Sequence, residues 1–372
     1  MKYYLIAGEA SGDLHGSNLM RELKGMDASA SFRYWGGDKM TAQGGELVKH
    51  IKEMSFMGFW EVFINLRTIL GYLKLCERDL LAYKPDVLIL IDYPGFNLRM
   101  AEFAKKNDIK VVYYISPQIW AWKASRVKKI KAFVDRMLVI LPFEKEFYQK
   151  YGVTVHFPGH PLLDAIANFK NELTERHFRE THGLTDKPIV ALLPGSRMQE
   201  IISNLPTMAA TSKYFGDYQF VVAGVHEHSQ SCYNNLVAGT DVKIILGQTY
   251  PLLSVASAAI VASGTATLET ALFGVPQLVC YRINRISYLI ARKLIKVKYI
   301  SLVNLILNRR LVDELIQNDF NDSYLRNALD LLLNDPQHKK HIAVGYEELS
   351  RMLGGKGASK NAARMISDFL AL

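Results

Sequence analysis

Five segments carry residue types that can act on a phosphorylated or hydroxylated ligand. Leu193-Pro194-Gly195-Ser196-Arg197 follows an apolar run and opens a helical pattern. Ser196 with Gln199 reads as a capping box, which puts Arg197 in the first helical turn. A cation there opposes the helix dipole unless an anion lies between, so Gly195, Ser196 and Arg197 read as a phosphate corner. Ser263-Gly264-Thr265-Ala266-Thr267-Leu268-Glu269 has the same character. Its small residues at a helix start suit a diphosphate, and Glu269 can accept hydrogen bonds from a ribose diol. Asp92 ends the apolar run Val87–Ile91. A carboxylate at the mouth of a buried strand is either a general base or the N-cap of the helix near Asn97. Ala7-Gly8-Glu9-Ala10-Ser11-Gly12-Asp13 is either a ligand loop, with Glu9, Ser11 and Asp13 as its polar contacts, or a plain strand–helix turn. Trp120 and Trp122 read as core, or as a wall against sugar or acyl groups.

Absences narrow the chemistry. There is no GxGxxG or GK[ST] loop, which disfavours NAD and ATP. No DxD pair is present to hold a nucleotide-diphosphate cation, and neither HExxH nor GxSxG occurs. His226-Glu227-His228 reads as an exposed loop. The three cysteines stand far apart without a CxxC, against a disulfide framework or a zinc site. No metal or other cofactor is expected.

These residues need elements to position them. The chain has 372 residues, 49% hydrophobic and 22% charged, enough for about two globular domains. Continuous apolar runs alternate with helical patterns, as parallel strands covered on both faces require. Five runs fall in the first half: Tyr3–Ala7, Phe32–Trp35, Val87–Ile91, Lys110–Tyr114 and Met137–Ile140. Five follow in the second: Ile189–Leu193, Gln219–Ala223, Val242–Ile245, Ala259–Val261 and Gln277–Cys280. Two such series predict two doubly wound α/β domains, spanning residues 1–165 and 166–352. Phe157-Pro158-Gly159-His160-Pro161 reads as a stiff hinge, and the polar stretch Asn168–Lys187 as the separator. Residues 353–372 open with a glycine-rich helix stop and leave a last helix free to pack back on the first domain.

The net charge is +9, which suggests an anionic partner. From Thr270 to Val312 there is no acid, and Arg282, Arg285, Arg292, Lys293, Lys296, Lys298, Arg309 and Arg310 all fall there. A second basic run holds Lys123, Arg126, Lys128, Lys129 and Lys131. These bases are solvated helix faces or, because they alternate with Ile, Leu and Tyr, a surface for anionic lipid rather than nucleic acid. No segment is apolar enough to span a bilayer. Phe59, Phe63, Leu66, Leu70 and Leu73 share one helical face, widened by Trp60. That face is either a buried domain helix or an interfacial one that meets acyl chains. The N-terminus lacks a signal-peptide h-region, which predicts a cytoplasmic protein.

Taken together, Ala7–Asp13, Met57–Val62, Asp92–Asn97, Ile119–Trp122, Pro158–Pro161, Leu193–Arg197 and Ser263–Glu269 resemble the lipid-A-disaccharide synthase family, in order and over nearly the whole chain. The resemblance implies a GT-B fold, two Rossmann-like domains facing a central cleft, with acceptor and membrane served by the first and the UDP-sugar by the second. It implies an inverting, metal-independent glycosyltransferase on the cytoplasmic face of the Gram-negative inner membrane. Such an enzyme joins UDP-2,3-diacylglucosamine to 2,3-diacylglucosamine 1-phosphate (lipid X) through a β-1,6 bond and releases UDP. The resemblance admits a homodimer. By it, Asp92 matches the general base, Arg197 a residue near the UDP phosphates, Glu269 the ribose contact, and Asn304 the Asn of an SLPN motif. Val303 replaces the Pro of that motif, and His15 stands where small or apolar residues are common. Two other readings compete: another GT-B UDP-sugar enzyme, such as a UDP-N-acetylglucosamine epimerase or a cell-wall glycosyltransferase, and a basic nucleic-acid-binding protein. An epimerase has no use for the apolar Phe59 face, and no nucleic-acid module is recognisable.

Overall fold

The structure is a computed structural model, described here for residues 1–54, 66–122, 124–169, 174–284, 288 and 297–371, without the side chains of 66, 121, 122 and 124. It contains two parallel six-stranded sheets. The first runs β3-β2-β1-β4-β5-β6, from β1 (Lys2–Ala7), β2 (Ser31–Gly36), β3 (Glu46–His50), β4 (Val87–Ile91), β5 (Lys110–Tyr114) and β6 (Arg136–Leu138). The second repeats that order as β12-β11-β10-β7-β8-β9. Its strands are β7 (Ile189–Leu193), β8 (Gln219–Gly224), β9 (Lys243–Leu246), β10 (Ala256–Ala262), β11 (Gln277–Tyr281) and β12 (Glu314–Ile316). Every pairing is parallel. This is the doubly wound arrangement, with ligands expected beyond the carboxyl edges of the central strands.

Period-two alternation explains the continuous apolar runs. Tyr4, Ile6, Leu88, Leu90, Val111 and Tyr113 enter one core, while Tyr3, Leu5, Val87, Ile89, Val112 and Tyr114 enter another. A strand buried on both faces has no polar phase. β3 and β12 are sheet edges, and neither was among the ten apolar runs. Glu46-Leu47-Val48-Lys49-His50 is exposed or half-buried throughout, and Glu314–Ile316 is three residues long.

The chain divides into two compact units, 1–164 with 353–372 and 165–352. The boundary falls within the helix Pro161–Asn168, between the Phe157–Pro161 hinge and the Asn168–Lys187 stretch read as the separator. Pro161 opens that helix, where a missing N–H costs nothing. The supposed separator also carries the helix Glu175–His182, started by Thr174 Oγ1 accepting from His177 N and stopped by Gly183 at φ +58°. The last helix, Ala358–Leu370, belongs to the first unit. Asp164 caps it from across the chain, accepting from Gly357 N at 2.5 Å and Ser359 N at 3.0 Å. Its Ala362, Ala363 and Ile366 are buried in the same core as Leu19 and Leu23.

Phe59, Trp60 and Phe63 lie outside the described residues, as do 285–287 and 289–296 of the basic stretch. In the helix Leu66–Tyr83, Leu70 and Leu73 do not share an environment. Leu73 lines up with Cys76 and Leu80 in the core, while Leu70 is 45% exposed. Among the described residues no helix is long and apolar enough to cross a membrane.

Candidate active site

In the first unit, the carboxyl ends of β1, β4 and β5 converge. β1 runs into Gly8, where a Cβ would stand 2.3 Å from the Tyr93 ring, so only glycine allows that ring to lie against the loop. Glu9 is the exposed residue preceding the helix Ala10–Met26, and Ser11 is exposed in its first turn. Asp13 is buried, and its carboxylate accepts three backbone N–H groups: Gly37 at 2.7 Å, Met40 at 3.0 Å and Lys39 at 3.0 Å. This departs from the reading of Asp13 as a ligand contact, because both oxygens are engaged in starting the helix Asp38–Thr41. An isolated sequence cannot show that, since the partners lie two dozen residues away.

Asp92 follows β4 at φ +44° and Tyr93 continues at φ +47°. Neither is glycine, and two consecutive left-handed residues are uncommon. Asp92 is half-buried. Burial, and then the charge of Glu9, push its carboxyl up to about 7, against the pull of the Tyr93 N–H. Its backbone carbonyl accepts from Tyr113 Oη at 2.6 Å and Asn97 Nδ2 at 2.7 Å. The helix begins at Pro94 with Tyr93 in the cap position and no side-chain cap, so Asp92 is not the N-cap that the sequence left open. Trp120 is half-buried, edge-on to Phe143 at 4.9 Å. The Trp122 side chain is not among those described.

In the second unit, the ends of β7 and β10 face the same carboxyl edge. Gly195 has φ +114°, and a Cβ would meet Glu200 Oε2 at 2.5 Å. The turn lets Glu200 fold back, its Oε2 lying 3.5 Å from Arg197 N. The helix runs Met198–Ala210 with Arg197 as its cap residue, which corrects the Ser196–Gln199 capping box by one position. Arg197 therefore stands before the helix rather than in its first turn. Its side chain is 65% exposed, with Glu200 at 4.0 Å. The Ser196 carbonyl lies 3.0 Å from His228 Nε2. Beside Arg197 is a cavity of about 990 Å³, also lined by Glu200, Tyr281, Arg282, Gln317 and Phe320.

At β10, Ser263 Oγ donates to Ile300 O at 2.8 Å, while Gly264 and Thr265 are exposed at the start of the helix Thr265–Leu272. Glu269, one turn in, accepts from Tyr250 Oη at 2.8 Å. Burial holds its carboxyl above the ordinary range, and the Tyr250 hydroxyl pulls it down. Tyr250 was not singled out from the sequence. Among the described residues no three His, Cys, Asp or Glu side chains gather to hold a metal ion.

The sequence profile of the lipid-A-disaccharide synthetase family matches residues 3–368. The lipid-A-disaccharide synthase of Syntrophus aciditrophicus is 40% identical over 369 residues, covering 97% of this chain and 96% of that protein. That of Geobacter metallireducens is 37% identical over 373 residues, covering 98% and 96%. The chain belongs to the lipid-A-disaccharide synthase family. Among solved structures, UDP-GlcNAc 2-epimerase from Neisseria meningitidis bound to UDP-GlcNAc superposes with a TM-score of 0.69, at 13% identity and 100% coverage of both chains. The glycotransferase of kitacinnamycin gives 0.66 at 15% identity, covering 99% of each chain. At such identities these show a shared fold, two Rossmann-like domains of GT-B type, and the epimerase reading keeps only that architectural support.

One residue implied by the family resemblance is placed differently from expectation. Asn304 is completely buried. Its Oδ1 accepts from Leu311 N at 2.8 Å and Val312 N at 3.0 Å, and its Nδ2 donates to Val312 O and Glu314 Oε1, both at 2.8 Å. All four hydrogen-bonding positions of the amide are filled from within the chain. Glu314 also accepts from Ile300 N, Ser301 N and Ser301 Oγ. Asn304 and Glu314 thus fix Ile300 and Ser301 and the start of the helix Leu302–Leu307 that Ser301 caps, and Ser263 is tied to Ile300. Val303 is fully buried in the first turn of that helix, in place of the family's Pro.

Proposed function

We propose that this chain transfers the diacylglucosaminyl group of UDP-2,3-diacylglucosamine to the 6-hydroxyl of 2,3-diacylglucosamine 1-phosphate, with Asp92 as general base. The acceptor oxygen attacks the anomeric carbon as its proton passes to Asp92. The bond from that carbon to the UDP oxygen breaks, and the configuration inverts. Products are the β-1,6-linked disaccharide 1-phosphate and UDP, so one base suffices. Arg197 and the exposed backbone of Gly264 and Thr265 stabilise the charge growing on the leaving diphosphate. Gly195 and Ser196 complete that corner, and Glu269 takes the ribose.

The observation that carries this reading is the position of Asp92 at the carboxyl mouth of β4, with its carboxyl held near 7. A base with that affinity is about half ionised at neutral pH, and is strong enough to accept a hydroxyl proton. Membrane association is read as peripheral, through the Phe59 face and the basic runs, because both substrates carry acyl chains. The exposed Leu70 supports an outward apolar flank. Asp92→Asn tests the assignment in detergent micelles. Turnover should fall roughly 10²- to 10⁴-fold while UDP still binds; turnover near that of the wild type would remove Asp92 from the role.

A further inference from the structure

Three non-glycine residues with left-handed backbone cluster at the carboxyl ends of β4 and β5: Asp92 at φ +44°, Tyr93 at +47° and Ile115 at +68°. Each is costly, Ile115 the more so for its branched Cβ, and Tyr93 because it precedes Pro94. Such strain persists only where surrounding contacts over-determine it. At Asp92 those contacts are specific. The phenol of Tyr113, on the adjacent strand and fully buried, donates to the Asp92 carbonyl at 2.6 Å. The buried amide of Asn97 donates to the same oxygen at 2.7 Å and to Ile91 O at 3.2 Å. Asn97 N closes the turn on Tyr93 O at 3.0 Å. On the other side, the Tyr93 ring fills the space that Gly8 leaves open.

Returning Asp92 to an extended backbone would swing its carbonyl away from both donors. The buried Tyr113 hydroxyl would then lose its acceptor, and the Asn97 amide would keep only its longer contacts to Ile91 O and Ile6 O at 3.2 and 3.4 Å, which opposes the swing. We infer that Tyr113 and Asn97 are positioning residues, which hold the Asp92 backbone left-handed and so fix the carboxylate at the mouth of β4. The inference rests on the reading of Asp92 as general base. Neither residue reaches the reacting atoms in this account, since both act on the peptide behind the carboxylate.

Tyr113→Phe deletes only the hydroxyl and keeps the ring in the core. The experiment measures kcat, both KM values and the pH profile for this variant, for Asp92→Asn and for the double variant, in micelles with both substrates. The expected result is a fall in kcat of about 10- to 100-fold, the scale of a misplaced reacting group, with KM within about twofold. The acid limb of the profile should move to lower pH, because a loosened carboxylate gains water. Adding Tyr113→Phe to Asp92→Asn should have no further effect. An unchanged kcat and acid limb in Tyr113→Phe would overturn the positioning role and leave Asp92 as base. An equal fall in both backgrounds would overturn it too, by showing a structural effect alone. Wild-type turnover in Asp92→Asn would overturn the base reading and the inference with it. Should Tyr113→Phe not fold, Asn97→Asp, which replaces a donor with an acceptor at the same carbonyl, takes its place with the same expected and contrary results.

Discussion

Tyr250 donates to Glu269 at 2.8 Å from a separate helix, so a phenol presented after β9 orients a carboxylate presented after β10. Phe169 and Phe273 pack against the Tyr250 ring at 5.5 and 5.2 Å and fix it there. One oxygen of Glu269 is thereby engaged, and the other is left without a protein partner among the described residues. If Glu269 holds the ribose, Tyr250→Phe should weaken UDP binding by about 2- to 10-fold, the range for one net hydrogen bond. Calorimetry with UDP checks this, and an unchanged affinity would separate the pair from the nucleotide.

Arg197 should behave differently. It is 65% exposed and its ion pair among the described residues is a 4.0 Å contact with Glu200, so Arg197→Ala should barely move the unfolding midpoint. UDP affinity should fall about 10-fold or more, as expected for a hydrogen bond between charged groups. Uridine, which lacks the diphosphate, should bind both proteins alike. Equal weakening of UDP and uridine would argue against a phosphate contact.

Asp13 makes a contrasting prediction, since it is engaged by the chain. Asp13→Asn replaces one acceptor with a donor facing the backbone N–H groups of residues 37–40. Stability should drop by about 1.5–3 kcal/mol in urea unfolding. UDP affinity of the folded protein should stay unchanged. A loss of turnover without loss of stability would instead return Asp13 to the acceptor site.

Two histidines, His160 buried and His15 half-buried, give the fold a pH dependence. Burial, then Lys39, lowers His15 from 6.5 to about 4; burial, then His15, lowers His160 to about 3. The neutral His160 ring accepts from Leu162 N through Nδ1. Below pH 6.5 the unfolded chain binds protons that the folded chain excludes, so stability is full above 6.5 and falls as pH drops toward 4. Each histidine contributes at most about 1.4 kcal/mol per pH unit across its window. His160→Gln should flatten the dependence of the urea midpoint on pH between 6.5 and 4. The same slope in wild type and variant would contradict the assignment.

The central strands were legible because parallel strands buried on both faces must be continuous apolar runs, as in Val87–Ile91 and Ile189–Leu193. The edges β3 and β12 were not, because an edge strand can be polar and short. Gly195 and Arg197 follow the end of β7, with Arg197 one position earlier than the sequence suggested, and Glu269 stands one turn into the helix after β10. What escaped was the set of partners: Tyr113 behind Asp92, Tyr250 on Glu269 and Glu314 on Asn304. Each contributes a single polar atom to a residue distant in sequence or on another element, and periodicity carries no record of such a contact. Asp13 and Asn304 look like ligand contacts for a related reason. A buried polar residue in the first turn of a helix has the same sequence signature whether it meets a ligand or a backbone.

The most direct test of the account is a single reaction. Purified protein is mixed in detergent micelles with UDP-2,3-diacylglucosamine, 2,3-diacylglucosamine 1-phosphate and EDTA, and the products are read by mass spectrometry. The account predicts a tetraacyl disaccharide 1-phosphate with an equal amount of UDP. UDP bound tightly but no disaccharide formed, with or without the chelator, would contradict it.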